Sequence, residues 1–327
     1  MKQTIYTLSA VMITLLCAAS CSKTVPDNGQ QAGIDWYVMT VDPLVDNAAV
    51  NGSKTTGQST KASLINSTDG LQEQGFALSV YDGSIIRQEK KAMTYVNGAW
   101  THAGDAWKWP VKTVYTFVAW SPALLAETVA AESDVSTGNF DFTYTGITTQ
   151  TDILIGYYKG IGNPDGISCK APVTFSHPLA SVQFKVGTMT GITSINSISV
   201  SGVLSEGECK ADMTTNPATF LWTGITGDAA SLPAQTNLTV APSTGTMIGA
   251  PFLVLPQTLS ESNLTVTLNV TPISGSSKNI TFPVDSGDLA PGKTTVYSVS
   301  YDGITVGFTA SIDPWAPGTD GNVVVDK

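Results

Sequence analysis

Residues 304–312 alternate more strictly than any other run in the chain. Ile304, Val306, Phe308, Ala310 and Ile312 face one way, and Thr305, Gly307, Thr309 and Ser311 the other. Successive side chains on extended backbone point to opposite sides, so a period of two marks a strand with one buried face. Shorter runs of the same kind, bounded by Gly, Pro, Asn and Asp, fill the chain from residue 34 onward. In residues 34–41, Ile34, Trp36 and Val38 share one face, and Tyr37, Met39 and Val41 the other. Phe76, Leu78 and Val80 form a face, and Val114, Thr116, Val118 and Trp120 alternate with Tyr115, Phe117 and Ala119. Asn97 and Gly98 separate two apolar runs, which predicts a two-residue hairpin. Further runs at 173–175, 179–186, 195–203, 219–222, 238–241, 252–255, 264–271, 280–284 and 295–301 follow at the spacing of a sandwich. Only residues 121–131 read as a helical turn, opening on Ser121-Pro122. The expected fold is all-β, with two tandem antiparallel β-sandwich domains, 34–168 and 169–327, divided just beyond the breaker at 160–166.

Composition supports a packed fold and narrows the partners. With 42% hydrophobic and 13% charged residues, the chain has enough apolar side chains for a core. A net charge of -10 and a single arginine, Arg87, argue against nucleic acid as a partner, because phosphate binding needs a basic face.

The N-terminus carries an address. Lys2 precedes an apolar run that ends in Ala18, Ala19, Ser20 and Cys21. The run is roughly ten residues long, against about 20 for a membrane span, so residues 1–20 read as a secretory signal peptide. Its small residues before Cys21 resemble a bacterial lipobox. That resemblance implies that Cys21 becomes the acylated N-terminal residue, with lipid such as palmitate, of an outer-membrane lipoprotein. The other reading is an ordinary signal that happens to contain cysteine. Residues 21–33 are polar, with Pro26, Gly29 and Gly33, and serve as a flexible tether. Export leaves Cys169 and Cys209 in an oxidising compartment, either as a disulfide or as two buried thiols.

No constellation points to catalysis. His102 and His177 are far apart, no Cys/His group has metal spacing, and there is no Gly-x-Ser-x-Gly elbow. His177, between Ser176 and Pro178, reads as a structural histidine. Residues 287–294 (GDLAPGKT) satisfy the phosphate-loop pattern. However, Pro291 removes an N–H that such a loop needs, and the β-formers after Thr294 contradict the required helix, so a Pro-Gly turn is expected and no nucleotide. Trp100, Trp107, Trp109 and Trp120 are dense enough to form a sugar-binding platform, although alternation also explains them as core and cross-strand residues. No catalytic residue, metal or cofactor is expected.

An ordered set of pieces carries a wider likeness. Thr60-Lys61-Ala62 precedes GFALSVY at 75–81; Trp109-Pro110 leads to YTFVAWSP at 115–122; DILIGY at 152–157 and FSHPLASVQFKV at 175–186 follow. Pro256-Gln257, Pro291-Gly292-Lys293 and IDPW at 312–315 complete it. In this order, behind the lipobox, the chain resembles the fimbrillin-like pilins of Bacteroides-type bacteria. The resemblance implies transthyretin-like, Greek-key sandwiches and a structural role at the cell surface. Its implied partners are other fimbrial subunits and a host or bacterial surface ligand. It also implies removal of the strand holding Ile34, Trp36 and Val38 by a trypsin-like protease, between Lys61 and Ala62 or, as second choice, after Lys54. The family's cut usually follows arginine, and this segment has none. The strand carrying Ile304, Val306, Phe308, Ala310 and Ile312 would be donated to the vacated groove of another subunit, unless it simply completes its own domain. Two alternatives remain: a lipid-anchored glycan-binding protein and a non-polymerising fimbrial anchor.

Overall fold

The computed structural model describes residues 36–45, 65, 68–110, 113–123, 135–161, 170–226, 230–259, 264–284 and 287–315. The expected helical turn at 121–131 lies mostly outside them. Strands dominate, as the alternation requires. A seven-stranded sheet runs in the order Leu44–Val45, Thr174–Ser176, Leu154–Ile161, Val114–Ser121, Phe76–Asp82, Ile85–Val96, Ala99–Thr101. Its central strands Phe76–Asp82 and Val114–Ser121 are buried on both faces, which is why their sequences are nearly continuous apolar runs. One face, with Phe76, Leu78, Val80 and Phe117, closes a core with Met39, Val41, Ile65, Leu71, Trp107 and Trp109. The opposite face, with Ala77, Val118, Trp120 and Ile155, joins a second core shared with the C-terminal half.

That half contains two four-stranded sheets. One orders Phe252–Val254, Ala180–Met189, Lys293–Tyr301, Val306–Pro314; the other Ala230–Ser231, Ile192–Val203, Leu264–Pro272, Lys278–Val284. Pairing is not antiparallel throughout, because Ala180–Met189 lies parallel to Lys293–Tyr301. The parallel pair is feasible because the intervening chain crosses through the other sheet instead of returning by a tight hairpin.

The two halves interleave at their junction. Thr174–Ser176 lies beside Leu44–Val45 in the seven-stranded sheet, and Lys170–Ala171 pairs with Thr40–Val41 as a separate two-stranded sheet. The chain then passes to the next sheet at His177-Pro178-Leu179. In addition, Asn139–Tyr144 pairs with Glu206–Asp212 across the junction, through alternating Phe140, Phe142 and Tyr144 that enter the second core.

Local chemistry explains the smaller features. Asn97 and Gly98 both have positive φ and close the hairpin between Ile85–Val96 and Ala99–Thr101, a conformation that asparagine tolerates and glycine, without a Cβ, adopts freely. The short helix Thr68–Gln74 buries Leu71 and ends where Gly75 donates to the Leu71 carbonyl at 2.9 Å. Gly75 has φ 67, and a Cβ there would meet the Met93 carbonyl oxygen at 2.8 Å, so glycine is required. Residues 287–294 form the short strand Gly287–Leu289 and a turn into Lys293–Tyr301, with no helix after the glycine-rich stretch.

Candidate functional site

The feature with the clearest functional geometry is the seat of the N-terminal segment 36–45. Three very short strands lie here end to end on different partners. Trp36–Val38 runs antiparallel to Lys108–Pro110, Thr40–Val41 parallel to Lys170–Ala171, and Leu44–Val45 parallel to Thr174–Phe175. Between and beside them the backbone donates outward: Met39 to the Trp107 carbonyl, Asp42 to that of Ala171 and Leu44 to that of Val173, each at 2.9 Å. Met39, Val41, Pro43 and Val45 are buried, while Asp42 and Leu44 are exposed. The segment thus meets its seat as an alternating strand, with pockets at every second residue. Each apolar side chain seated this way contributes about 1.5–3 kcal/mol of burial. The Lys170–Asp42 ion pair at 3.4 Å is exposed and adds little.

The displaced strand expected around Ile34, Trp36 and Val38 overlaps this segment, and from Met39 onward its buried residues are the odd-numbered ones. Ile34 lies outside the described residues, and Trp36 and Val38 are placed by their backbone pairing. The segment is apolar on both faces as far as Val41, so its sequence alone could not decide which face turns inward.

At the other terminus, Val306–Pro314 pairs along its whole length with Lys293–Tyr301 and forms the outer strand of its sheet. Val306, Phe308 and Ala310 pack on the second core, where the Phe308 ring lies 5.8 Å from Tyr297 and 6.4 Å from Phe282. The five-residue face is therefore shortened. Ile312 is exposed, and Ile304, 90% exposed, sits in the preceding turn instead of the strand. Asp302 builds that turn: its carboxylate accepts the Ile304 and Thr305 amides at 2.8 and 2.7 Å and the Thr305 hydroxyl at 2.7 Å.

These hydrogen bonds from Thr305 and Ile304 hold the Asp302 carboxyl down at about 2. A lowered folded-state value stabilises the turn fully above the unfolded value near 3.9, and the contribution disappears as pH falls through about 2. Amide exchange measured by NMR between pH 5 and pH 2 is therefore expected to show the Ile304 and Thr305 amides losing protection towards the acid end. Asp302→Asn should weaken their protection at pH 5 and flatten the profile.

The remaining candidates resolve separately. Cys21, Lys54, Lys61, Ala62 and Cys169 lie outside the described residues. Cys209 is a free, buried thiol, one of the two states its sequence left open. Cys209 stands on the central strand of its sheet, level with Phe142 on one side and Trp222 on the other. Burial, with Asp141 nearby, pushes its thiol well above the ordinary range. Trp107, Trp109 and Trp120 are buried core residues, and half-buried Trp100 packs against Phe76 and Tyr95, so the four do not form an open platform. Among the described residues, no three His, Cys, Asp or Glu side chains come together.

His177 is the residue whose surroundings the sequence did not reveal. It is buried with Asp152, its Nε2 lying 3.2 Å from Asp152 Oδ2. The partners are far apart in the chain, and no local pattern marks them.

Together, these sheets define an all-β protein in which Leu44–Val45 and Val306–Pro314 are outer strands of their sheets. The model of the fimbrillin-like family matches residues 48–315, and the chain belongs to that family. Among solved structures, a fimbrial protein from Bacteroides vulgatus ATCC 8482 shares the fold. It has TM-score 0.54 and 11% identity, over 85% of this chain and 99% of that one. A protein from Bacteroides ovatus ATCC 8483, described as a cell adhesion protein, matches with TM-score 0.51 and 15% identity, over 86% and 98% of the two chains. A search of curated proteins finds none that matches.

Proposed function

We propose that the protein is a fimbrial subunit that reaches the cell surface as a lipoprotein acylated at Cys21 and assembles by strand exchange. In this reading a trypsin-like protease cuts between Lys61 and Ala62, with Lys54 as the second choice, and segment 36–45 leaves its seat. The donor is the terminal strand of another subunit, with Val306, Phe308 and Ala310 as its apolar face. The observation that carries the proposal is the seat itself. Loss of the segment would leave the carbonyls of Trp107, Ala171 and Val173 without their donors and would uncover four apolar pockets. Unpaired edge groups with pockets at alternate positions recruit an extended strand. Because donor and acceptor are different surfaces, each addition leaves a new free end, and a filament grows instead of a closed dimer. Family membership supports a structural role at the cell surface, assembled with other subunits.

Intact mass and N-terminal sequencing of protein recovered from the cell surface test the reading. A chain beginning at Ala62 and running in high-mass ladders is expected. A monomeric chain still beginning at acylated Cys21 would instead identify a non-polymerising anchor.

A further inference from the structure

Three distant parts of the chain meet on His177, at the point where the chain passes between sheets. Its Nε2–H donates to the Ile65 carbonyl oxygen at 2.9 Å and also faces Asp152 Oδ2. That same carboxylate oxygen accepts the Ile65 N–H at 2.7 Å. Both backbone polar groups of one residue are therefore held by one pair of side chains. The pair is sealed from solvent, the Asp152 and His177 side chains being 0% and 2% exposed. Against the His177 ring lies the buried Trp315 indole, with ring centroids 4.3 Å apart. Trp315 directly follows the terminal strand. That strand's end is held near His177 by the Lys293–Pro314 pairing and by Gly292, which donates to the Leu179 carbonyl at 2.8 Å.

We propose that Asp152 and His177 form a positioning joint that couples the Ile65 end of the chain to the Trp315 end. Ile65 lies just beyond the proposed cut, so the joint grips the first part of the chain retained after processing. Trp315 is the lid on the same pair. Hydrogen bonds to charged or polarised groups are strong in a dry site and weak in water. If Trp315 lifts with its strand, water reaches the pair and the grip on Ile65 loosens. By linkage, loosening Ile65 must weaken the hold on the terminal strand equally. In a growing filament, this would let release of the donor strand and the state of the processed end influence each other. Only that use rests on the strand-exchange reading; the coupling is a property of the folded subunit.

The test is residue-resolved amide exchange on the full-length chain, in which polymer formation plays no part. Trp315→Ala is expected to speed exchange of the Ile65 amide and of the Thr309 and Ser311 amides together, by about tenfold, with Val80 unchanged as reference. Asp152→Asn should produce the reciprocal effect, speeding Thr309 and Ser311 although it touches neither. A terminal strand that loosens in Trp315→Ala while Ile65 keeps its protection would overturn the joint. So would Asp152→Asn acting on Ile65 alone. Where Trp315→Ala raises exchange throughout the chain, Trp315→Phe keeps an aromatic ring on His177 and gives the same comparison. Joint acceleration of Ile65 and the strand then supports the coupling, and acceleration of the strand alone overturns it.

Discussion

His177→Ala is expected to destabilise the folded chain markedly, by about 1–3 kcal/mol for each buried polar group it leaves without a partner. The loss exceeds that of an ordinary hydrogen bond because the Asp152 carboxyl group stays buried and, among the described residues, keeps the Ile65 N–H as its one close partner. The Ile65 carbonyl loses its donor at the same time. Replacing both partners with apolar residues is not expected to restore stability here. The backbone N–H and C=O of Ile65 would then both be unsatisfied in the core. His177→Gln, which keeps an N–H donor on a side chain of similar reach, should cost less than the alanine variant. Urea unfolding midpoints for wild type, His177→Gln and His177→Ala check the order. Equal midpoints for all three would remove the pair from the account of stability.

The second large effect is expected from Met39→Asp combined with Val41→Asp. Both side chains are buried in the seat, and neither pocket offers a partner charge among its apolar core neighbours Trp107, Trp109, Ala171 and Phe175. A carboxylate cannot be buried there without compensation, so the segment should leave its seat while the rest of the chain stays folded. Losing two apolar side chains forfeits about 3–6 kcal/mol of burial, enough to raise exchange of the Met39, Asp42 and Leu44 amides by about a hundredfold or more. These amides report directly, because they donate to the carbonyls of Trp107, Ala171 and Val173. The uncut variant should then behave like processed protein. Unchanged protection of the three amides would show that backbone pairing alone retains the segment.

The sequence was legible where one strand's own pattern decides its state. Residues 304–312 read as a strand because alternation is local, and Asn97-Gly98 read as a hairpin because turn chemistry is local. Which neighbour a strand pairs with is not local. Val306–Pro314 could be placed within its own domain or another's with equal success from its sequence, and the full pairing to Lys293–Tyr301 is a tertiary fact. The strand Glu206–Asp212 has the composition of an exposed loop, and it is a strand because Asn139–Tyr144 and Thr219–Thr226 flank it. Thr68–Gln74 is too short for helical periodicity to register, and its order comes from Leu71 burial and the Gly75 cap. The His177 joint was least legible of all, since its partners Asp152, Ile65 and Trp315 come from three separate stretches. The odd-numbered face of segment 36–45 needed the seat itself to be seen.

The most direct measurement is binding of a labelled synthetic peptide spanning residues 304–327 to purified protein, followed by fluorescence anisotropy, before and after cleavage beyond Lys61. Strand exchange predicts saturable binding to the cleaved chain once residues 36–45 are removed, and none to the intact chain whose seat is occupied. Met39→Asp/Val41→Asp in the uncut chain should bind as well. No binding to the cleaved chain, or equal binding to cleaved and intact chains, would contradict the claim that segment 36–45 holds the place of an incoming strand.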